Sequence, residues 1–281
     1  MDKAKLTELK INACKVRKGI IEGVHSAKSG HPGGSLSIAD VLTYLYFEKM
    51  NIDSENPDMP NRDRLVLSKG HAAPAWYSVL ANRGYFDVEL LKTLRKTDSV
   101  LQGHPDMKHI KGVDMSSGSL GQGISVAVGM ALSSKHFDGG FRVYTILGDG
   151  ECEEGQVWEA AMFASAKKLS NLTAFVDMNG LQIDGPVTEV NSPMPFDTKF
   201  EAFGWNVITI DGHNFDEIES ALNAAESVAD RPTAILMNTV KGKGVSFMEN
   251  KVNWHGSAPN DEQYEIAMKE LDEELNSLLK A

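Results

Sequence analysis

The chain has 281 residues, 28 Lys+Arg against 39 Asp+Glu, and a formal net charge of −11 at pH 7. That length buries one large core or two modest ones, and 42% hydrophobic with 24% charged residues is ordinary for a soluble globular protein. The acid excess argues against a general binder of nucleic acid or of anionic membranes, which both need a cationic footprint.

The N-terminus, MDKAKLTELKINACKVRKGI, is charged throughout and has no apolar signal core. Leu6, Leu9, Ala13, Val16 and Ile20 recur at three- and four-residue steps, which predicts a long opening helix. It should stop near SAKSGHPGGS, where Gly30, Pro32, Gly33 and Gly34 demand a loop. A second apolar-periodic run covers Ile38 to Phe47, and residues 51–64, rich in Pro, Asp and Asn, read as surface loop. Val143–Leu147 and Leu172–Met178 read as buried strands, with a helix over Glu153–Lys168 between them. Such a βαβ unit has parallel strands and a right-handed crossover. Further strands are expected at Asn206–Ile210 and Thr233–Asn238, with a helix from Phe215 to about Val228 between them and a last amphipathic helix over Asp261–Leu279.

No repeat, low-complexity tract or linker divides the chain, so the expectation is one α/β domain over 1–281, a mostly parallel sheet flanked by helices. Cys14 and Cys152 are too few to staple it and read as free thiols. No stretch approaches the ~20 apolar residues of a membrane span. A soluble, cytoplasmic protein is expected.

The most informative stretch is LGDGECEEG followed by DMNGLQIDG. Asp149 ends one predicted strand and Asn179 the next, and in a βαβ unit both ends point to the edge where open α/β sheets bind ligands. A carboxylate and an amide oxygen meeting there are hard ligands, suited to Mg²⁺ or Ca²⁺ rather than zinc. Gly148 and Gly150 leave backbone bare for a phosphate, and the following helix should aim its N-terminal N–H groups at the same point. Neither a G-x-G-x-x-G motif nor a Walker lysine is present. Five of eight histidines, His31, His71, His104, His213 and His255, stand beside glycine in loops, a pattern that gathers imidazoles round a polar ligand. His25, His109 and His136 read as structural. The segment SSGSLGQGISVAVGMAL predicts a helix of small residues, with Gly118–Leu120 at its entrance able to face a flat ring.

In order along the chain, GHPGG, SKGHAAPAWY, GHPD, SSGSLGQG, LGDGECEEG with DMNGLQIDG, and KGKG with WHGSAP resemble the N-terminal, diphosphate-binding domain of transketolase, a thiamine-diphosphate enzyme. The resemblance runs from about residue 10 to 265 and implies the cofactors thiamine diphosphate and Mg²⁺, with Ca²⁺ an alternative. Carried over residue by residue, it implies Asp149, Asn179 and the Leu181 carbonyl as metal ligands. It places Gly150, His71, His255 and Lys241 at or near the diphosphate, and Gly118 and Leu120 beside the cofactor rings. His31, His104 and His255 match histidines that line the substrate channel, where they bind sugar hydroxyls and shuttle protons. Glu154 and Glu159 match acidic residues at the contact between subunits.

The family's pyrimidine-binding and third domains, with the glutamate that promotes cofactor activation and the sugar-phosphate arginines, find no match in this chain. The resemblance therefore implies the N-terminal subunit of a split transketolase. It would transfer a two-carbon ketol unit from a ketose phosphate to an aldose phosphate beside a second chain carrying the pyrimidine-binding domain, in a heterotetramer with two copies of each. The competing readings are the α subunit of a 2-oxoacid dehydrogenase first component, another thiamine-diphosphate chain, and a non-catalytic module holding Mg²⁺ and a diphosphate compound.

Overall fold

Residues 1–280 are described by the structure, a computed structural model. Helix α1 (Lys3–Ala27) opens the chain, capped by the Asp2 carboxylate on the Lys5 N–H and closed by Lys28 in the left-handed region. The short helices α2 (Pro32–Leu36) and α3 (Ala39–Tyr44) follow, then strand β1 (Arg64–Leu67) and helix α4 (Ala73–Asn82). Helix α5 (Gly123–His136) leads to β2 (Val143–Gly148), α6 (Gly155–Ala166) and β3 (Leu172–Met178). A two-residue hairpin, β4 (Leu181–Gln182) and β5 (Gly185–Pro186), precedes α7 (Val187–Val190) and α8 (Phe196–Ala202). Strand β6 (Asn206–Asp211), α9 (Phe215–Ser227), β7 (Thr233–Asn238) and α10 (Asp261–Leu278) complete the chain.

Five strands form one parallel sheet in the order β1-β2-β3-β7-β6. Both faces are covered, so the strands are apolar on both sides, as parallel sheets require. Along β3, Phe175 packs into the cluster formed with α1, α3, α4, α9 and α10, while Leu172, Ala174 and Val176 pack into the cluster formed with α5, α6 and α8. Each fully buried Leu, Ile or Phe contributes roughly 1.5–3 kcal/mol. Close helix approach also depends on small residues: a β-carbon at Gly19 of α1 would lie 2.2 Å from Ser78 Oγ of α4.

The chain steps from β1 through β2 to β3 in one direction and from β6 back to β7 in the other. Right-handed crossovers then place α6 and α9 on opposite faces, and the loops part between β3 and β7. That switch point opens a crevice at the C-terminal edge of the sheet.

The structure departs from the sequence reading in several places: Pro32, Gly33 and Gly34, expected as loop, open the short helix α2, and the β4–β5 hairpin, α7 and α8 have no counterpart in that reading. The stretch read as loop up to residue 64 gives way to β1 immediately, and α4 has no counterpart in that reading. The run over Ile38 to Phe47 is α3 continued by a π-helical turn at Leu45–Lys49. Among the described residues, no helix is long and apolar enough to cross a membrane. Cys14 and Cys152 are both buried and free, and burial pushes both thiols up, Cys14 to about 11.

Candidate active site

Strands β2 and β3 pair in register up to Gly148 opposite Asp177, so the residues that follow them, Asp149 and Asn179, leave the sheet side by side. The two loops are tied by the Gly180 N–H, which donates to Asp149 Oδ2 at 2.6 Å, while the Gly150 N–H donates to Oδ1 at 2.8 Å. Asn179 Oδ1 accepts from the Leu181 N–H at 3.1 Å and its Nδ2 donates to Asp177 Oδ2 at 2.8 Å. The Leu181 carbonyl accepts from Lys241 Nζ at 2.9 Å. Asp149, Gly150, Asn179, Leu181, Gly118, Leu120, Lys241, His31, His71 and His255 line one half-open cleft.

This donor set fits a hard divalent cation. It offers one carboxylate, one amide oxygen and one backbone carbonyl, all oxygen donors of the kind such a cation takes. Burial, then the neighbouring Asp177, pushes the Asp149 carboxyl up to about 6. Among the described residues, no group of three or more His, Cys, Asp and Glu is placed to hold a metal.

Two charged residues that the sequence reading did not single out organise the floor of the site. Asp177 is fully buried and accepts from Lys69 Nζ at 2.6 Å, Ser37 Oγ at 2.7 Å and Thr239 Oγ1 at 2.5 Å besides Asn179. Lys69 also donates to the Gly34 carbonyl at 2.8 Å. These bonds join the ends of β1, β3 and β7 to the loop after α2. The sequence signal for Asp177 is a lone acid inside an apolar strand, which calls for a buried partner. Gln182 also lines the cleft, and a β-carbon at Gly150 would lie 2.5 Å from its Oε1. Gln182 thus fills only the side of Gly150 on which a side chain would stand. The expected helix N-terminus is also set back: a 3₁₀ turn over Gly150–Glu153 comes first, and α6 starts only at Gly155. Glu151 is turned inward, accepting from Ser68 Oγ and the Gly121 and Gly148 N–H groups.

Three imidazoles meet above this floor. Ring centroids of His31, His71 and His255 are separated by 5.2 to 5.7 Å. Burial lowers all three, helped by neighbouring cations, to about 4 for His31 and about 3 for His255. All three are neutral at pH 7, each with one donor and one acceptor nitrogen. Lys241 Nζ lies 3.0 Å from His255 Nδ1, which puts the imidazole proton on Nε2. Burial, then Lys69, lowers the Lys241 ammonium to about 8. His31 Nδ1 is buried with no hydrogen-bond partner in the described structure. His104 stands at the rim, its ring 3.2 Å from where a Gly118 β-carbon would lie, and Gly118 has φ +157°.

His213 does not join this group, contrary to the pattern of glycine-flanked histidines. Its Nδ1 pairs with Asp40 Oδ2 at 2.7 Å and its Nε2 accepts the Val240 N–H at 2.9 Å, so its role is to brace the loop before Lys241. His25, His109 and His136 lie elsewhere: His25 stacks on Tyr264 and His109 pairs with Asp106. Glu154 and Glu159 are exposed at the start of α6.

Oxygen-bearing side chains on adjacent ends of a parallel sheet, flanked by buried lysines and neutral imidazoles, form a polar cleft at the sheet edge where α/β folds bind ligands. The sequence matches the family described as transketolase, thiamine diphosphate binding domain, over residues 8–275, and the chain belongs to it. It is 50% identical over 267 residues to the 6-deoxy-6-sulfo-D-fructose transketolase subunit SqwG of Clostridium sp. (strain MSTE9), covering 95% of this chain and 97% of that one. It is 40% identical to an apulose-4-phosphate transketolase subunit of Phocaeicola vulgatus, over 97% of this chain and 96% of that one. Human transketolase is 41% identical over 99% of this chain, which spans 44% of that protein. The crystal structure of transketolase from Campylobacter jejuni superposes with a TM-score of 0.89 at 33% identity, over 97% of this chain and 43% of that one. The chain thus spans nearly all of the subunit relatives and under half of the single-chain ones. These findings favour a transketolase N-terminal domain, a part of a transferase, over the 2-oxoacid dehydrogenase and non-catalytic readings.

Proposed function

We propose that this chain is the cofactor-anchoring subunit of a two-chain transketolase that moves a two-carbon ketol unit from a ketose phosphate to an aldose phosphate. The observation that carries the reading is the meeting of Asp149, Asn179 and the Leu181 carbonyl beneath His31, His71 and His255 in one cleft. Asp149, Asn179 and the Leu181 carbonyl would hold Mg²⁺, with Ca²⁺ able to take the same oxygens. Lys241, His71, His255 and Gly150 would meet the diphosphate, and Gly118 and Leu120 the cofactor rings. Thiamine diphosphate, when bound, supplies the carbon nucleophile that cleaves the bond beside a ketose carbonyl.

The imidazoles act on the sugar. Neutral at pH 7, His31 can take up a hydroxyl proton while His255 donates a hydrogen bond to the sugar, and His104 completes the set at the rim. His255 donates from Nε2, since Lys241 occupies Nδ1. The cleft is half open, with Leu120 37% and Ile183 65% exposed at its edge. A second chain bearing the pyrimidine-binding domain would cover that apolar rim, in a cytoplasmic heterotetramer with two copies of each chain. Support comes from two relatives that are named as subunits and match this chain over nearly their whole length.

The test is reconstitution with a C-terminal transketolase subunit. Fructose 6-phosphate, 6-deoxy-6-sulfo-D-fructose and apulose 4-phosphate serve as donors, because the relatives act on the last two by name. Ketol transfer with both chains and little with this one alone is expected. Full turnover by the single chain would overturn the two-chain reading, and no transfer with the partner present would overturn the activity.

A further inference from the structure

Asn179 has a side chain whose two ends are nearly equal in size, so its packing cannot tell oxygen from nitrogen. Only hydrogen bonds decide which end faces the cleft. We propose that Asp177 is the positioning residue that makes this choice: its carboxylate takes the NH₂ end of Asn179 and leaves the oxygen for the metal. The inference rests on the metal–diphosphate reading of the site.

Asp177 Oδ2 receives Asn179 Nδ2 at 2.8 Å, while the Leu181 N–H holds Oδ1 from the other side at 3.1 Å. As an ionised carboxylate Asp177 only accepts, and a flipped amide would set oxygen against oxygen in a site shielded from water. Three further donors keep it an acceptor: Lys69 Nζ at 2.6 Å, Ser37 Oγ at 2.7 Å and Thr239 Oγ1 at 2.5 Å. Lys69 is itself fixed by the Gly34 carbonyl. The orientation of Asn179 is therefore set by a buried ion pair that never reaches the cation. Partners behind metal ligands act in this way in general, and their loss costs about 10- to 100-fold in metal affinity.

The experiment measures Mn²⁺ binding to the full chain with thiamine diphosphate by electron paramagnetic resonance. Asp177→Leu, of similar size but with no acceptor, releases the NH₂ end of Asn179 and should weaken Mn²⁺ by about 10- to 100-fold. In an Asn179→Asp background the two oxygens at 179 are equivalent and orientation is moot, so adding Asp177→Leu should cost no further affinity. Equal binding by wild type and Asp177→Leu, or the same loss in both backgrounds, would overturn the proposal and leave the functional reading standing. A wild-type chain that binds no Mn²⁺ would overturn both. Should Asp177→Leu not fold, the wild type carries the test by nuclear magnetic resonance. The Asn179 side-chain amide protons are expected to stay protected from exchange with Mg²⁺ bound, and rapid exchange would overturn the proposal.

Discussion

Asp149 carries a charge that its surroundings penalise. It is 4% exposed, and burial with Asp177 nearby outweighs the two N–H groups and Lys241 that favour its ionised form, so it titrates at about 6. In the proposed site the metal would take the ionised carboxylate, so protons would compete with it. Mn²⁺ affinity should be level above about pH 7 and fall by about tenfold per pH unit below pH 6. A Mn²⁺ titration across that range checks this, and an affinity unchanged down to about pH 5 would contradict it. For the metal-free fold the sign is opposite. A carboxyl raised above its ordinary 3.8 contributes stability that is present below that value and lost as pH rises through about 6. Asp149 and Asn179 were legible in the sequence because each stands beside glycine at the end of a recognisable strand. Lys69 and Asp177 were not, because the partners lie 108 residues apart and the lone acid in β3 does not say which residue pairs with it.

Helix α5 shows how one small residue sets an element's position. Gly123 begins it, and a β-carbon there would lie 2.6 Å from Ser68 Cα, the residue after β1. Backbone cannot yield as a side-chain tip can, so Gly123→Ala should destabilise by about 1–3 kcal/mol from overpacking, despite the better helix propensity of alanine. Urea unfolding measures it, and a variant as stable as wild type would refute the close-packing argument. The elements legible in sequence were the amphipathic ones. Helix α9 is anchored by Phe215, Ile218 and Leu222, and α10 by Leu271 under an Asn260–Gln263 capping box, and both start where the sequence placed them. Helix α4 escaped notice because Ala73 through Ala81 are all buried, so it lacks the polar face that reveals a helical period. Strand β1 has only four residues and follows directly on a polar loop.

At the scale of the whole molecule, the parallel α/β class followed from strand–helix–strand alternation, whereas the strand order β1-β2-β3-β7-β6 depends on long crossovers that local pattern does not encode. The order matters because it parts the loops between β3 and β7 and so creates the cleft. The fold brings His31, His71, Asp149, Asn179, Lys241 and His255 from five loops to one point, and the histidine spacing alone could not separate them from His213. The account stands on the convergence of Asp149, Asn179 and the Leu181 carbonyl on a divalent cation that clasps a diphosphate. Calorimetric titration of the chain with thiamine diphosphate, with Mg²⁺ and after chelation, for wild type and Asp149→Ala, tests this most directly. Binding that needs Mg²⁺ and disappears in Asp149→Ala is the predicted result. Equal binding after chelation, or undiminished binding by the variant, would contradict it.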